Sequence, residues 1–301
     1  MVEQNGGADA GGTIGVVIRT LNESELIGSC LETLHRQHGP LDLDVLVVDS
    51  GSTDSTLEIA RSHGARIVEL SPGDFDYSKA LNVGIDEVRG DLVVSISAHA
   101  IPVDDQWLER MTAPFEDPNV AGVFSRQVPW PEAPWREVHR LREQFGETGR
   151  VYSKTNADGI VFSNAASSIR RSVWRDQPFT LPAVEDLEWA QRVVAAGWTI
   201  VYESGAAVYH SHHENARAQA RRLIDINRVI DAPHRTRRRT LREAAGLLFR
   251  DSRQIFTLEE PLRRKLVYLV DLLRVACYYV ADFSRSGTTA ERRREDSGLA
   301  L

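Results

Sequence analysis

The sequence predicts an α/β fold, with a Rossmann-like, mostly parallel central sheet covered by helices and a C-terminal helical extension. Three observations carry this prediction. Short β-branched runs alternate with helix-period segments through the first two-thirds of the chain. Residues 91–97 (DLVVSIS) read as a continuous apolar strand of the kind buried on both faces. After His213 the strand-like runs stop and only helical periodicity remains.

The elements follow in order. Residues 13–19 (TIGVVIR) form the first strand. Over 24–37, Leu26, Ile27, Cys30, Leu31 and Leu34 recur at helical spacing, and Gly39-Pro40 stops the helix. Strands are expected at 44–48 and 66–70, with helices at 55–62 and 77–87. From Val120 the pattern loosens. Strands are expected at 120–124, 160–162, 199–202 and 207–209, and helices at 169–174 and 184–196. Later helices are expected at 216–230, 237–249 and 261–283. The organisation is thus a disordered leader over 1–12, a main α/β domain over 13–215, a helical region over 216–284 and a disordered tail over 285–301.

Composition is that of a globular protein, with 42% hydrophobic and 26% charged residues. The leader is polar and Gly-rich, unlike a secretory signal, and no apolar run reaches the ~18 residues of a spanning helix. The expected place is therefore the cytoplasm, free in solution or peripheral to the inner face of the membrane. The net charge of −7 is unevenly spread: over 216–250, ten Arg stand against Asp225, Asp231 and Glu243. That segment reads either as a site for an anionic partner or as a solvated Arg-rich face. Along 261–283, Arg264, Asp271, Arg274 and Asp282 share one stripe, while Leu266, Leu269, Val270, Leu273 and Val280 fill most of the remainder. This helix is expected to pack on the main domain and to meet a second subunit, as a homodimer, or a membrane surface. Nothing predicts a nucleic-acid partner. Cys30 and Cys277 lack metal-type spacing and are expected to be buried free thiols in a reducing compartment.

Five segments carry chemistry. The ends of the first two strands hold Thr20, Asn22 and Glu23, and then Asp49 with Ser52 and Asp54. Ligands of open parallel sheets bind beyond the carboxyl ends of strands, so Asp49 is read as a ligand acceptor and Ser52 or Asp54 as a helix cap. Lys79, one of three lysines, stands at a helix start near Asn82 and Gly84, where a nucleotide phosphate or base would be met. Ser97-Ala98-His99 follows the apolar strand, and His99 suits a metal such as Mn²⁺ better than Mg²⁺. Glu185 and Asp186 open a helix, about 100° apart, so that one can face a pocket while the other is tied back. His210 and His212 share a strand face and, with His99, form a candidate metal set. The absence of a P-loop, of a GxGxxG after the first strand and of a GxSxG elbow argues against P-loop kinases, dehydrogenases and typical serine hydrolases.

Together and in this order, these segments resemble the family 2 inverting glycosyltransferases with the GT-A fold, over about residues 13–215. Residues 13–22 resemble the family's opening strand and turn, and VLVVDSGSTD at 45–54 its second strand. Asn82 and Gly84 match its Asn-x-Gly, and Ser97-Ala98-His99 stands in the place of its DxD metal motif. Glu185-Asp186 matches its ED motif, and His210 or His212 a late histidine near the donor diphosphate. FSNAASSIRRSVW, VEDLEWAQRV and VYHSH look most like the bacterial rhamnosyltransferase branch, in polysaccharide biosynthesis. The resemblance implies transfer from a UDP- or dTDP-sugar to an acceptor hydroxyl with Asp186 as base. Thr20, Asn22, Glu23, Asp49, Lys79, Asn82, Ser97, His99 and Arg217 are then expected around the donor. A divalent metal, Mn²⁺ or Mg²⁺, at His99, His210 and His212, or cationic side chains such as His210, His212 and Arg217 in its place, would stabilise the departing diphosphate. The sequence departs from the family at the DxD position, where both carboxylates are lost, which weakens the case for Mg²⁺. Two competing readings are a nucleotidyltransferase, opposed by the acidic loop after the first strand, and a catalytically degenerate binding scaffold, opposed by the intact Glu185-Asp186.

Overall fold

The computed structural model describes residues 12–38, 42–71, 76–211, 216–231 and 237–296. The chain divides into two compact units, 1–212 and 213–301. The first holds β1 (Ile14–Thr20), α1 (Ile27–His35), β2 (Leu43–Asp49), α2 (Thr56–Ser62), β3 (Arg66–Glu69), α3 (Tyr77–Glu87) and β4 (Leu92–Ser97). It continues with β5 (Ile101–Pro102), α4 (Trp107–Thr112), β6 (Val120–Val128), α5 (Trp135–Gln144), β7 (Arg150–Tyr152), β8 (Ala166–Arg170), α6 (Arg171–Asp176), α7 (Glu185–Ala195) and β9 (Thr199–Tyr209).

One sheet runs β3-β2-β1-β4-β8-β6-β9-β5, with β7 also paired to β9. β3, β2, β1 and β4 are parallel, as are β6 and β9. β8 lies antiparallel between β4 and β6. β1 has β2 on one side and β4 on the other, so the winding reverses beside β1 and opens a crevice at the carboxyl ends of these strands. The period-2 alternation of β1 explains its central place. Val16 and Ile18 join Ile27, Leu31 and Trp107 on one face, while Val17 joins Leu81, Ile85 and Trp189 on the other.

α3 lies close against the sheet at Gly84, where an added Cβ would meet Val17 Cγ1 at 2.4 Å and Val48 Cγ2 at 3.0 Å. Buried Arg171 closes the far end of this helix by donating to the carbonyl oxygens of Ile85, Val88 and Gly90.

Several expected elements are corrected. Residues 160–162 are not a strand; the missing strand is β8, which takes the start of the segment expected to be helical. Its inner residues Ser167 and Ser168 are fully buried yet small and polar, so no apolar signal marks them. The two expected strands at 199–202 and 207–209 are one strand, β9, with a register shift against β6 between Ser125 and Arg126. α4, α5, β5 and β7 carried no clear periodicity. Cys30 is buried, and burial pushes its thiol up to about 12, but Cys277 is exposed.

The second unit comprises α8 (Ala216–Asp231), α9 (Arg237–Thr257) and α10 (Leu262–Asp296). Ala220, Ile224, Val275, Ala276 and Tyr279 form its core, and the Tyr279 hydroxyl donates to Glu243 at 2.6 Å. α10 includes most of the stretch expected to be a disordered tail. Phe249, Phe256, Leu262, Leu266 and Val267 are each more than half exposed. No helix among the described residues is long and apolar enough to cross a membrane.

Candidate active site

Thr20, Asp49 and Ser97 end β1, β2 and β4, so the topology brings three expected site residues to the same crevice. The loops beyond β1 and β2 are laced together. Asn22 takes a left-handed conformation (φ +55°), its N–H donates to Ser52 Oγ at 2.8 Å, and its Oδ1 accepts from the Thr53 N–H at 2.8 Å. The Glu23 N–H donates to Thr56 Oγ1 at 2.8 Å. Asp54, placed in the sequence as a cap, accepts from the Thr56 hydroxyl and from the Ser24 N–H, and these hydrogen bonds draw its carboxyl down to about 2. Asp49 is fully buried and accepts the N–H groups of Gly51 (2.9 Å) and Ser52 (2.8 Å), so its carboxylate builds the turn. Thr20 is buried, and its Oγ1 has no hydrogen-bond partner among the described residues.

His99 follows β4 and is held from two sides. Its Nδ1 lies 2.7 Å from Glu23 Oε1, and its Nε2 lies 3.1 Å from Nε2 of His210. The rings are stacked 4.9 Å apart. His210 Nδ1 faces Gln127 Oε1 at 2.8 Å, and Gln127 Nε2 donates to Ser163 Oγ at 2.8 Å. Both Nδ1 atoms thus face acceptors, and both Nε2 atoms converge. No group of three or more metal-type ligands occurs among the described residues, and His212 lies outside them.

The two carboxylates divide as their helical spacing requires. Glu185 is buried and tied back to Arg19 Nη1 at 3.6 Å and Asn164 Nδ2 at 3.4 Å. Asp186 is half-buried and accepts from the N–H groups of Leu187 (2.8 Å) and Asn164 (3.4 Å). Burial, and then the negative charge of Glu185, push the Asp186 carboxyl up to about 7, against the opposing pull of Arg19 and the two N–H donors. Val184, just before this pair, has φ +55°, a conformation costly for a β-branched residue, which aims the first turn of α7. Fully buried Trp189, among Phe162 and Phe179, anchors the same helix.

Two more of the expected residues stand on α3, whose first turn is held to the loop before Glu185 by the Tyr77 N–H on the Pro182 carbonyl. Lys79 is half-buried in the first turn of α3, where Asp76 caps its N–H at 2.6 Å. Asn82 uses its amide to hold Phe179 and Trp174: Nδ2 donates to the Phe179 carbonyl at 2.8 Å, and Oδ1 accepts from Trp174 Nε1 at 2.9 Å. Arg217 is exposed on α8, in the second unit. Three residues absent from the expected set complete the geometry: Arg19, Gln127 and Asn164. Arg19 joins Glu185 to Tyr77, whose ring lies 5.1 Å from its guanidinium carbon. A charged residue closing an apolar strand was the signal for it.

Comparison with known proteins bears on the family and the fold. The family model described as glycosyl transferase family 2 matches residues 15–176. An O-antigen chain rhamnosyltransferase of Salmonella anatum is 30% identical over 190 residues, 60% of this chain and 60% of that protein. The match therefore spans less than two thirds of that relative's length. A second O-antigen chain rhamnosyltransferase, from Salmonella typhimurium, is 27% identical over 70% of each chain. Among solved structures, a mannosyltransferase of Pyrobaculum calidifontis in complex with GDP-Man and Mn²⁺ superposes with a TM-score of 0.52 at 19% identity, covering 96% of this chain and 76% of that one. Glucosyl-3-phosphoglycerate synthase of Mycobacterium tuberculosis, with Mn²⁺ and UDP-Glc, gives 0.50 at 22% identity, covering 69% and 74%. The fold is GT-A, and the chain, matched over more than half its length, belongs to glycosyl transferase family 2.

Proposed function

We propose that this chain transfers a sugar from a pyrimidine nucleoside-diphosphate donor to an acceptor hydroxyl in one displacement that inverts the anomeric carbon. The observation that carries the reading is Asp186: a carboxylate at the start of α7, held by Asn164 beside a buried Glu185 that Arg19 ties to the end of β1. As the acceptor oxygen bonds to the anomeric carbon, its proton passes to Asp186 and the bond to the diphosphate oxygen breaks. A carboxylate poised near neutrality suits that step, which opposes the reading of this chain as a degenerate scaffold. The pyrimidine assignment rests on the resemblance of residues 45–54, and the acceptor, a glycan, glycolipid or small molecule, follows from no single feature.

For a divalent cation the described residues offer two nitrogen donors and no third ligand: the Nε2 atoms of His99 and His210 lie 3.1 Å apart, with their Nδ1 atoms facing Glu23 and Gln127. Nitrogen donors favour Mn²⁺ over Mg²⁺. When bound there, the ion supplies positive charge for the departing diphosphate. His99 and His210 would hold it, and Glu23 and Gln127 would orient their rings.

We further infer a peripheral membrane position, supported by exposed Phe249, Phe256, Leu262 and Leu266 among Arg250, Arg253, Arg263 and Arg264.

The functional reading is tested by melting shifts with UDP-, dTDP- and GDP-sugars, with and without Mn²⁺. A pyrimidine nucleotide should stabilise the chain most, and His99→Ala should remove the Mn²⁺ response. A larger shift with GDP-sugars would contradict the donor assignment, and an unchanged Mn²⁺ response in His99→Ala would contradict the metal assignment.

A further inference from the structure

Beyond the carboxyl end of β6, a cavity of about 660 Å³ opens between that strand and α5. Its wall includes Arg126, Gln127, Trp130, Arg142, Phe145 and Glu147. The volume is in the range of small-ligand sites. Gln127 connects the cavity wall to the candidate site: its Oε1 faces His210 and its Nε2 donates to Ser163. Ser163 precedes Asn164, whose N–H reaches Asp186. The cavity is therefore linked to the proposed base by a short relay, Gln127 to Ser163 and Asn164 to Asp186, whereas the loops expected to meet the donor extend from β1 and β2.

The lining has the chemistry of saccharide recognition with a bias toward anions. Trp130 is stacked on Tyr209 at 4.8 Å, which fixes the indole as a flat apolar wall against which a sugar ring can lie. Two guanidinium groups stand against one carboxylate. Arg126 is paired with exposed Glu147 at 2.8 Å, while Arg142 makes no ion pair among the described residues. An exposed arginine beside an aromatic wall is suited to a planar carboxylate or a phosphoryl group.

We propose that this cavity is the acceptor subsite, and that the acceptor is a saccharide bearing a negatively charged phosphoryl or carboxyl group, read by Arg142 and stacked on Trp130. The proposal rests on the transferase reading above and adds the acceptor's chemical class to it.

The test uses the full chain and three probes, α-D-glucose 1-phosphate, methyl β-D-glucuronide and methyl β-D-glucoside, with binding followed by saturation-transfer NMR and UDP binding by calorimetry on the same samples. At least one charged probe should bind about 5- to 10-fold more tightly than the neutral glucoside; preference for the phosphate or the uronate identifies the group. Arg142→Gln should abolish the preference, Arg142→Lys should retain part of it, and Glu147→Gln, which frees Arg126, should enlarge it. Trp130→Ala should weaken all three probes while UDP affinity stays at the parent value. Equal binding of the neutral and charged probes, or a preference that survives Arg142→Gln, would overturn the subsite. Failure of the parent to bind UDP would instead overturn the donor reading, while the probe comparison decides the subsite separately.

Discussion

At the scale of residues, the site turns on how neighbours set the charge of a few groups. Asp186 is pushed up from 3.8 to about 7 by burial and by Glu185, so the folded chain binds its proton more tightly than the unfolded chain does. Its contribution to stability is therefore greatest below about pH 4 and is lost as pH rises through about 7. Asp186→Asn lacks this dependence. Its melting temperature should gain on the parent between pH 4 and pH 8, and parent turnover should rise as pH passes 7. Parallel melting curves across that window would show that the carboxyl is not perturbed. The sequence made the Glu185-Asp186 pair, His99 and His210 legible, because charged or metal-type residues at element ends are unusual enough to notice. It did not make Gln127 or Asn164 legible. Both are ordinary polar residues whose value lies only in what the sheet places opposite them. Asp49 and Asn82 were singled out as donor contacts, and the structure adds a local role for each, Asp49 in its turn and Asn82 in a tie between α3 and the loop at Phe179.

At the scale of elements, the parallel half of the sheet was legible and the other half was not. β1, β2 and β4 announce themselves through β-branched, doubly buried runs. β8 does not, because Ser167 and Ser168 fill its buried positions, and α5 is too polar for its apolar side to stand out. α3 carries a constraint that the sequence does show, in Gly84. Alanine there would place its Cβ 2.4 Å from Val17 and 3.0 Å from Val48, so the helix must move away from the sheet. Gly84→Ala should cost about 1–3 kcal/mol in urea unfolding. It should also loosen Tyr77, which opens the same helix and lies against Arg19. An unfolding midpoint equal to the parent's would mean that the close approach is not a constraint.

At the scale of the whole molecule, the chain joins a GT-A unit to a helical unit with a different surface. The change in composition after residue 215 made the second unit legible, whereas the exposure of its apolar residues needed the structure. If that face meets a membrane, the full chain should sediment with vesicles containing anionic phosphatidylglycerol and not with neutral phosphatidylcholine vesicles, and it should release as salt rises. Phe256→Glu with Leu266→Glu should abolish the binding. Equal sedimentation of the double variant would exclude this face. The central claim, however, is that the first unit is a catalytic transferase with Asp186 as its base, and one substitution tests it most directly. Asp186→Asn keeps size and hydrogen bonding and removes basicity. Steady-state transfer should fall roughly 10²- to 10⁴-fold, while calorimetric donor affinity remains at the parent value. Near-parent turnover in the folded variant would contradict the account and move the base to another residue.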